Sequence, residues 1–283
     1  MAGKDENKEW PYWLAAIVTF LICAVMIWLF LCERPSEGVR VVLLGDSIYA
    51  EKREEACIAQ RLSKVLGLPV FNGAFGGTSL ARSDSQRRMD EKLDDYSLVA
   101  FSKAIVSKDF GVQKQVRVEI PATEYFGTVL EELANIDFTK TELLFIGYGM
   151  NDYQNGVQME DEKDPWNEYT YGGALRSALK MLGETYPQLR IILLTPTYSW
   201  YEDREKSCEE LDFGGGFLEE YVNLELKIGA EFGVSTIDLY HDLYSHESFE
   251  DFSKYTRDGI HPNEQGLKLI SQRIITYLEE HPR

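Results

Sequence analysis

Four short stretches of this chain hold the residue types from which a hydroxyl nucleophile could be assembled. Gly45-Asp46-Ser47 offers a serine, and Asp258-Gly259-Ile260-His261-Pro262 offers a histidine three residues after an aspartate. Asn72-Gly73-Ala74-Phe75-Gly76-Gly77-Thr78-Ser79 and Gly149-Met150-Asn151-Asp152 offer glycine amides and a carboxamide. A serine hydroxyl is a weak nucleophile until an adjacent base takes its proton. The chain has four histidines, His241, His246, His261 and His281. His261 is read as the base, because Asp258 stands three residues upstream in a turn flanked by Gly259 and Pro262. Asp258 would accept from one imidazole nitrogen and stabilise the imidazolium formed when His261 takes the Ser47 proton. Each stretch alone has a plainer reading. Gly-Asp-Ser is a turn with a helix cap, and Gly76-Gly77 is a tight loop. Asn151-Asp152 can bond its own backbone, and Asp258–Pro262 can be a turn with Pro opening a helix. What sets them apart is their joint occurrence at the ends of predicted strands.

Those strands are Val39–Leu44, Val70–Phe71, Leu143–Tyr148, Ile191–Thr195 and Val234–Leu239, apolar runs typical of strands buried on both faces. Helices are predicted over Ile48–Leu66, closed by Gly67, and over Tyr125–Asn135, Thr170–Thr185, Phe217–Phe232 and Gly266–Glu280. The alternation implies an α/β fold, a parallel sheet covered on both faces. In such sheets ligands bind at the carboxyl ends of the strands. The long piece Ser83–Lys140 is expected to add one or two helices at the sheet edge.

Taken together, the four blocks resemble the SGNH hydrolases, also called GDSL-type esterases and lipases, over nearly all of residues 39–281. Gly45-Asp46-Ser47 matches the first block, with Ile48 in place of the usual Leu. Asn72 to Gly77 matches the second; ungapped counting selects Gly77 as its glycine and a one-residue shift selects Gly76. Gly149–Asp152 matches the third, and Asp258 with His261 the last. The resemblance implies a three-layer α/β/α, flavodoxin-like fold with a five-stranded parallel sheet, and a Ser47–His261–Asp258 triad. It implies an oxyanion hole made by the amides of Ser47 and Gly77 and the side chain of Asn151, with no cofactor and no metal. Asp46 and Asp152 are expected to bond loop backbone.

Composition narrows the partners. A formal net charge of −18 argues against nucleic acid, which needs a basic footprint. Four cysteines are too few for a disulfide scaffold. Cys57 and Cys208 lack CxxC spacing, and their pairing is left open. Residues 10–32 form a run of 23 residues without a charge, long enough to span a bilayer and edged by Trp10, Tyr12, Trp13 and Trp28. The run ends Leu-Phe-Leu-Cys, large residues where a signal peptidase needs small ones, so a retained anchor is expected. The organisation is then a tail at 1–9, a transmembrane helix at 10–32, a linker at 33–38 and one hydrolase domain at 39–283. Lys4 and Lys8 nearly balance Arg34 and Arg40, and the short tail favours an extracytoplasmic body.

Aromatic residues on the strand-end loops, Tyr153, Tyr198 and Trp200 foremost, suit sugar rings or acyl chains. The expected substrate is a short acyl ester, acetyl above all, of cell-surface carbohydrate. An acyltransferase using the same triad and a silent glycan-binding module are the alternatives.

Overall fold

The computed structural model describes residues 38–50, 53, 57–83, 91–116 and 124–282. The expected anchor at 10–32 lies outside the described residues, among which no helix is long and apolar enough to cross a membrane. Val39–Arg283 forms one compact unit.

Five parallel strands make the main sheet: β1 (Val41–Gly45), β2 (Val70–Asn72), β3 (Leu143–Gly147), β4 (Arg190–Leu194) and, beyond a small hairpin, β7 (Ser235–Ile237). Their order is β2-β1-β3-β4-β7. Side chains alternate across the sheet, as the two-residue period of a strand requires. Val42 and Leu44 of β1, with Leu144 and Ile146 of β3, enter one core, whereas Val41, Leu43, Leu143 and Phe145 enter the other. Both faces are therefore buried, which is why these strands read as unbroken apolar runs.

Helices close both layers. α1 (Ser47–Ala50), α2 (Ile58–Leu66) and α9 (Glu264–Glu280) bring Ile48, Ile58, Leu62, Ile270 and Ile274 to one face. α3 (Leu98–Ser107), α4 (Phe126–Ala134), α6 (Tyr171–Thr185) and α7 (Leu218–Phe232) cover the other. Local chemistry sets their ends. Thr170 accepts the Gly173 amide at 3.2 Å and Asn263 the Gln265 amide at 2.9 Å, caps worth about 1 kcal/mol each. Gly67 ends α2 in the left-handed region. The expected single helix over 48–66 is described as two pieces; Cys57, with extended backbone, starts the second. α3 and α4 are the helices expected within 83–140. The two-residue strands β5 (Trp200–Tyr201) and β6 (Lys206–Ser207) pair as a hairpin, and α5 (Met150–Gln154) and α8 (Phe249–Phe252) are single turns. Cys57 and Cys208 are both free and buried in cores on opposite sides of the sheet, so they cannot pair.

From β1 the chain runs to β2 at one edge, then returns to place β3 on the other side of β1. The strand order reverses between β1 and β3, where open α/β sheets form their ligand crevice. Gly45 lies in register with Gly147, so the loops that follow the two strands emerge side by side.

Candidate active site

Ser47 opens α1 directly after β1. Asp46, beside it, is 2% exposed, and its Oδ1 accepts the Ile48 amide at 3.0 Å. Its own amide donates to Gly147 O at 3.1 Å, tying the serine turn to β3. Burial is the main influence on the Asp46 carboxyl and pushes its pKa up to about 7.

His261 arrives from the far end of the sequence. Its Nε2 stands 3.0 Å from Ser47 Oγ, and its Nδ1 stands 2.7 Å from Asp258 Oδ2. The other Asp258 oxygen accepts the amides of Ile260 at 3.0 Å and His261 at 2.7 Å, so carboxylate and ring are fixed by one turn. Partial burial would raise the Asp258 pKa, but these bonds with His261 outweigh it and hold the carboxyl below its usual range. The turn depends on Gly259, whose φ is +83°; a Cβ there would sit 1.9 Å from the carbonyl oxygen of Trp200. The Trp200 amide donates to Gly259 O at 2.8 Å, so the hairpin strand β5 braces the histidine turn.

Asn151 lies on α5, after β3. Its Nδ2 donates to Thr78 O at 2.9 Å, which fixes the carboxamide against the β2 loop and leaves a second hydrogen on the same nitrogen. Asp152 is fully buried and accepts the amides of Leu80 at 2.8 Å and Ala81 at 2.9 Å. Asp152 thus bonds loop backbone as expected, whereas Asp46 bonds the first turn of α1. Gly77 is exposed with φ +75°, a conformation glycine adopts without strain. The Gly76 amide is already engaged by the Tyr125 hydroxyl at 2.9 Å, a partner for which the sequence holds no signal.

Two expected substrate contacts are corrected. Tyr153 is fully buried, and its hydroxyl donates to Leu211 O at 2.8 Å. Two residues past Asn151, it is turned about 200° around α5 and so faces the core. Tyr198 is 1% exposed, stacked on His246 at 4.0 Å and edge-on to Phe252. Trp200 remains half-buried beside the histidine turn, stacked on Phe249. A cleft of about 500 Å³ opens beside α5, with Arg82, Asn155, Gln158, Asn167 and Tyr169 among its walls. Asn155 is one helical turn beyond Asn151, and Tyr169 is 51% exposed.

A second histidine repeats the turn. His241 Nδ1 lies 2.7 Å from Asp238 Oδ2, and the His241 amide donates to Asp238 Oδ1 at 2.9 Å. Its Nε2 meets Glu219 Oε1 at 3.2 Å rather than a hydroxyl. The Asp-x-x-His spacing at 238–241 is visible in the sequence, so spacing alone does not single out His261.

Known proteins resemble this chain in family and in fold. The family model described as GDSL-like lipase/acylhydrolase matches residues 43–269. Three similar solved structures share the fold. One has 18% identity and a TM-score of 0.64, covering 87% of this chain and 99% of its own. A Lactobacillus plantarum protein has 16% identity and a TM-score of 0.61, covering 86% of this chain and 98% of its own. A Chitinophaga pinensis protein described as a possible lipase has 16% identity and a TM-score of 0.57, covering 85% and 98%. No curated protein matches the sequence.

Proposed function

The chain belongs to the GDSL-like lipase/acylhydrolase family of serine ester hydrolases, and from that premise we propose that Ser47, His261 and Asp258 cleave a short acyl ester through an acyl-enzyme. The observation that carries the proposal is the unbroken relay from Ser47 Oγ through His261 to Asp258, at 3.0 and 2.7 Å. With Nδ1–H on Asp258, the lone pair of Nε2 faces the serine hydroxyl. His261 takes that proton as Oγ bonds the carbonyl carbon, then returns it to the departing alcohol. Water resolves the acyl-enzyme by the same two proton transfers. The carbonyl oxygen becomes negative in the tetrahedral intermediate. The amides of Ser47 and Gly77 and the second hydrogen on Asn151 Nδ2 are its donors, each worth ~2.7–4 kcal/mol.

The substrate is an acetyl or similarly short ester of a carbohydrate. The carboxamide of Asn155 and the exposed ring of Tyr169, in the cleft past the end of α5, suit an alcohol rich in hydroxyls. Residues 10–32 anchor the protein and residues 39–283 form its catalytic domain; the support for the anchor is the 23-residue run without a charge. Activity is tested with an ester panel running from acetyl to long acyl, with and without a carbohydrate acceptor. Highest kcat/KM on acetyl esters, with release of free acid, supports the proposal. Preference for long acyl chains, or transfer to the acceptor in place of hydrolysis, contradicts it.

A further inference from the structure

If Ser47 attacks an ester carbonyl, the loop after β2 must hold one amide still, yet that amide belongs to a diglycine. Consecutive glycines have more backbone freedom than any other pair, and an oxyanion donor is effective only when it is set in place beforehand. The loop's other ties bracket the diglycine without gripping it. The Phe75 amide donates to Gly45 O at 2.8 Å, and Thr78 Oγ1 donates to Phe75 O at 2.7 Å. The grip comes from two segments outside the four blocks. Tyr125, just before α4, accepts the Gly76 amide on its hydroxyl at 2.9 Å. Arg53 lies over the Tyr125 ring, its guanidinium carbon 4.3 Å from the ring centroid. The same guanidinium donates to Asn72 O at 2.7 Å and to Ala74 O. One stacked Arg–Tyr pair therefore spans the loop from Asn72 to Gly76. The pair also borders the nucleophile, because a Cβ on Gly76 would lie 3.5 Å from the Tyr125 hydroxyl and 3.8 Å from Ser47 Cβ.

We propose that Tyr125 and Arg53 are positioning residues for the oxyanion: by holding Asn72 to Gly76 they set the Gly77 amide before the substrate arrives. This rests on the reading of Ser47 and Gly77 above. Burial raises the Tyr125 pKa against the opposing pull of the Gly76 amide and Arg53, so the phenol stays protonated and accepts through its oxygen lone pair. Tyr125→Phe keeps the ring over Arg53 and deletes only the acceptor. Arg53→Met keeps much of the packing and deletes both carbonyl bonds.

The test uses the full chain. Steady-state kinetics on an acetyl ester are measured beside the inhibition constants of an alkyl boronic acid and of the matching uncharged amide. The boronate forms a tetrahedral adduct with serine and places an oxygen at the oxyanion site; the amide reports ground-state binding. Tyr125→Phe is expected to lower kcat about tenfold, a fraction of the loss of a whole donor. KM should stay within about twofold, the boronate should weaken by the same factor as kcat, and amide affinity and Tm should hold. Arg53→Met should give the same split; should it fail to fold, Tyr125→Phe alone decides. Unchanged kcat and boronate affinity in Tyr125→Phe would overturn the proposal, as would equal weakening of boronate and amide. A wild type inert on every ester, or Ser47→Ala as active as wild type, would instead refute the hydrolase reading.

Discussion

The turns at 238–241 and 258–261 are near copies in a single molecule. In each, the histidine amide donates to one oxygen of the aspartate three residues upstream, and Nδ1 lies 2.7 Å from the other. They part at Nε2. His261 faces the Ser47 hydroxyl, and His241 faces Glu219. Partial burial works against a charged His241, but bonds to Asp238 and Glu219 outweigh it and raise its pKa. An imidazole held between two carboxylates is favoured in its protonated form, which has no lone pair to offer. On the proposed reading the same Asp–His unit serves as a base in one place and a surface ion pair in the other, and the group on Nε2 decides which.

The largest expected effect separates the two turns outright. Ser47→Ala and His261→Ala should each lower kcat/KM by about 10⁴-fold or more, and the double variant should be little worse, because nucleophile and base fail together. His241→Ala should stay within about twofold of wild type. Steady-state assays on one acetyl ester check both; additive losses at 47 and 261 would break the comparison. Next comes the oxyanion. Asn151→Ala should lower kcat by about 10²–10³ with KM nearly unchanged, since its donor acts chiefly in the transition state. An effect confined to KM would move Asn151 from the oxyanion to ground-state binding.

A smaller effect lies in stability. The buried Asp46 beneath Ser47 has a folded pKa of about 7, above the ordinary value. The stability it contributes is complete below pH ~4 and is lost as pH rises through ~7, with a slope of at most about 1.4 kcal/mol per pH unit. Asp46→Asn keeps the acceptor for the Ile48 amide and removes the titration. Between pH 4 and 7 the wild-type Tm should therefore fall relative to that of the variant; parallel curves would contradict this. The smallest effect belongs to His241. Its raised pKa contributes stability that is present below pH ~6.5 and lost as pH rises through the folded value. The ring is partly exposed, so solvent screening limits the pair to less than ~1 kcal/mol. Glu219→Gln should lower the His241 pKa seen by NMR titration and cost a few degrees of Tm at most.

The same contrast marks how far the sequence could be read. The strands were legible because burial on both faces leaves unbroken apolar runs such as Val41-Val42-Leu43-Leu44. The Ser47, Asn151 and His261 stretches were legible because each follows a strand or precedes a long helix, and their order resembled a known family. Spacing alone could not separate His261 from His241, because what faces Nε2 comes from elsewhere in the chain: Ser47 for one, Glu219 for the other. Tyr153 and Tyr198 follow strands as site aromatics would, but a place after a strand does not make a side chain exposed. Helical rotation buries the first, and stacking on His246 buries the second. Arg53 and Tyr125 left no local pattern, since each matters only through backbone groups of a distant loop. The hairpin at 200–207 is two residues per strand, too short for any period to register.

The decisive measurement is intact-protein mass after timed exposure to a fluorophosphonate, for wild type, Ser47→Ala, His261→Ala and His241→Ala. Wild type and His241→Ala should each gain one adduct at the same rate, His261→Ala should gain it far more slowly, and Ser47→Ala should gain none. An adduct on Ser47→Ala, or equal slowing by the two histidine variants, would contradict the assignment of Ser47 and His261 as nucleophile and base.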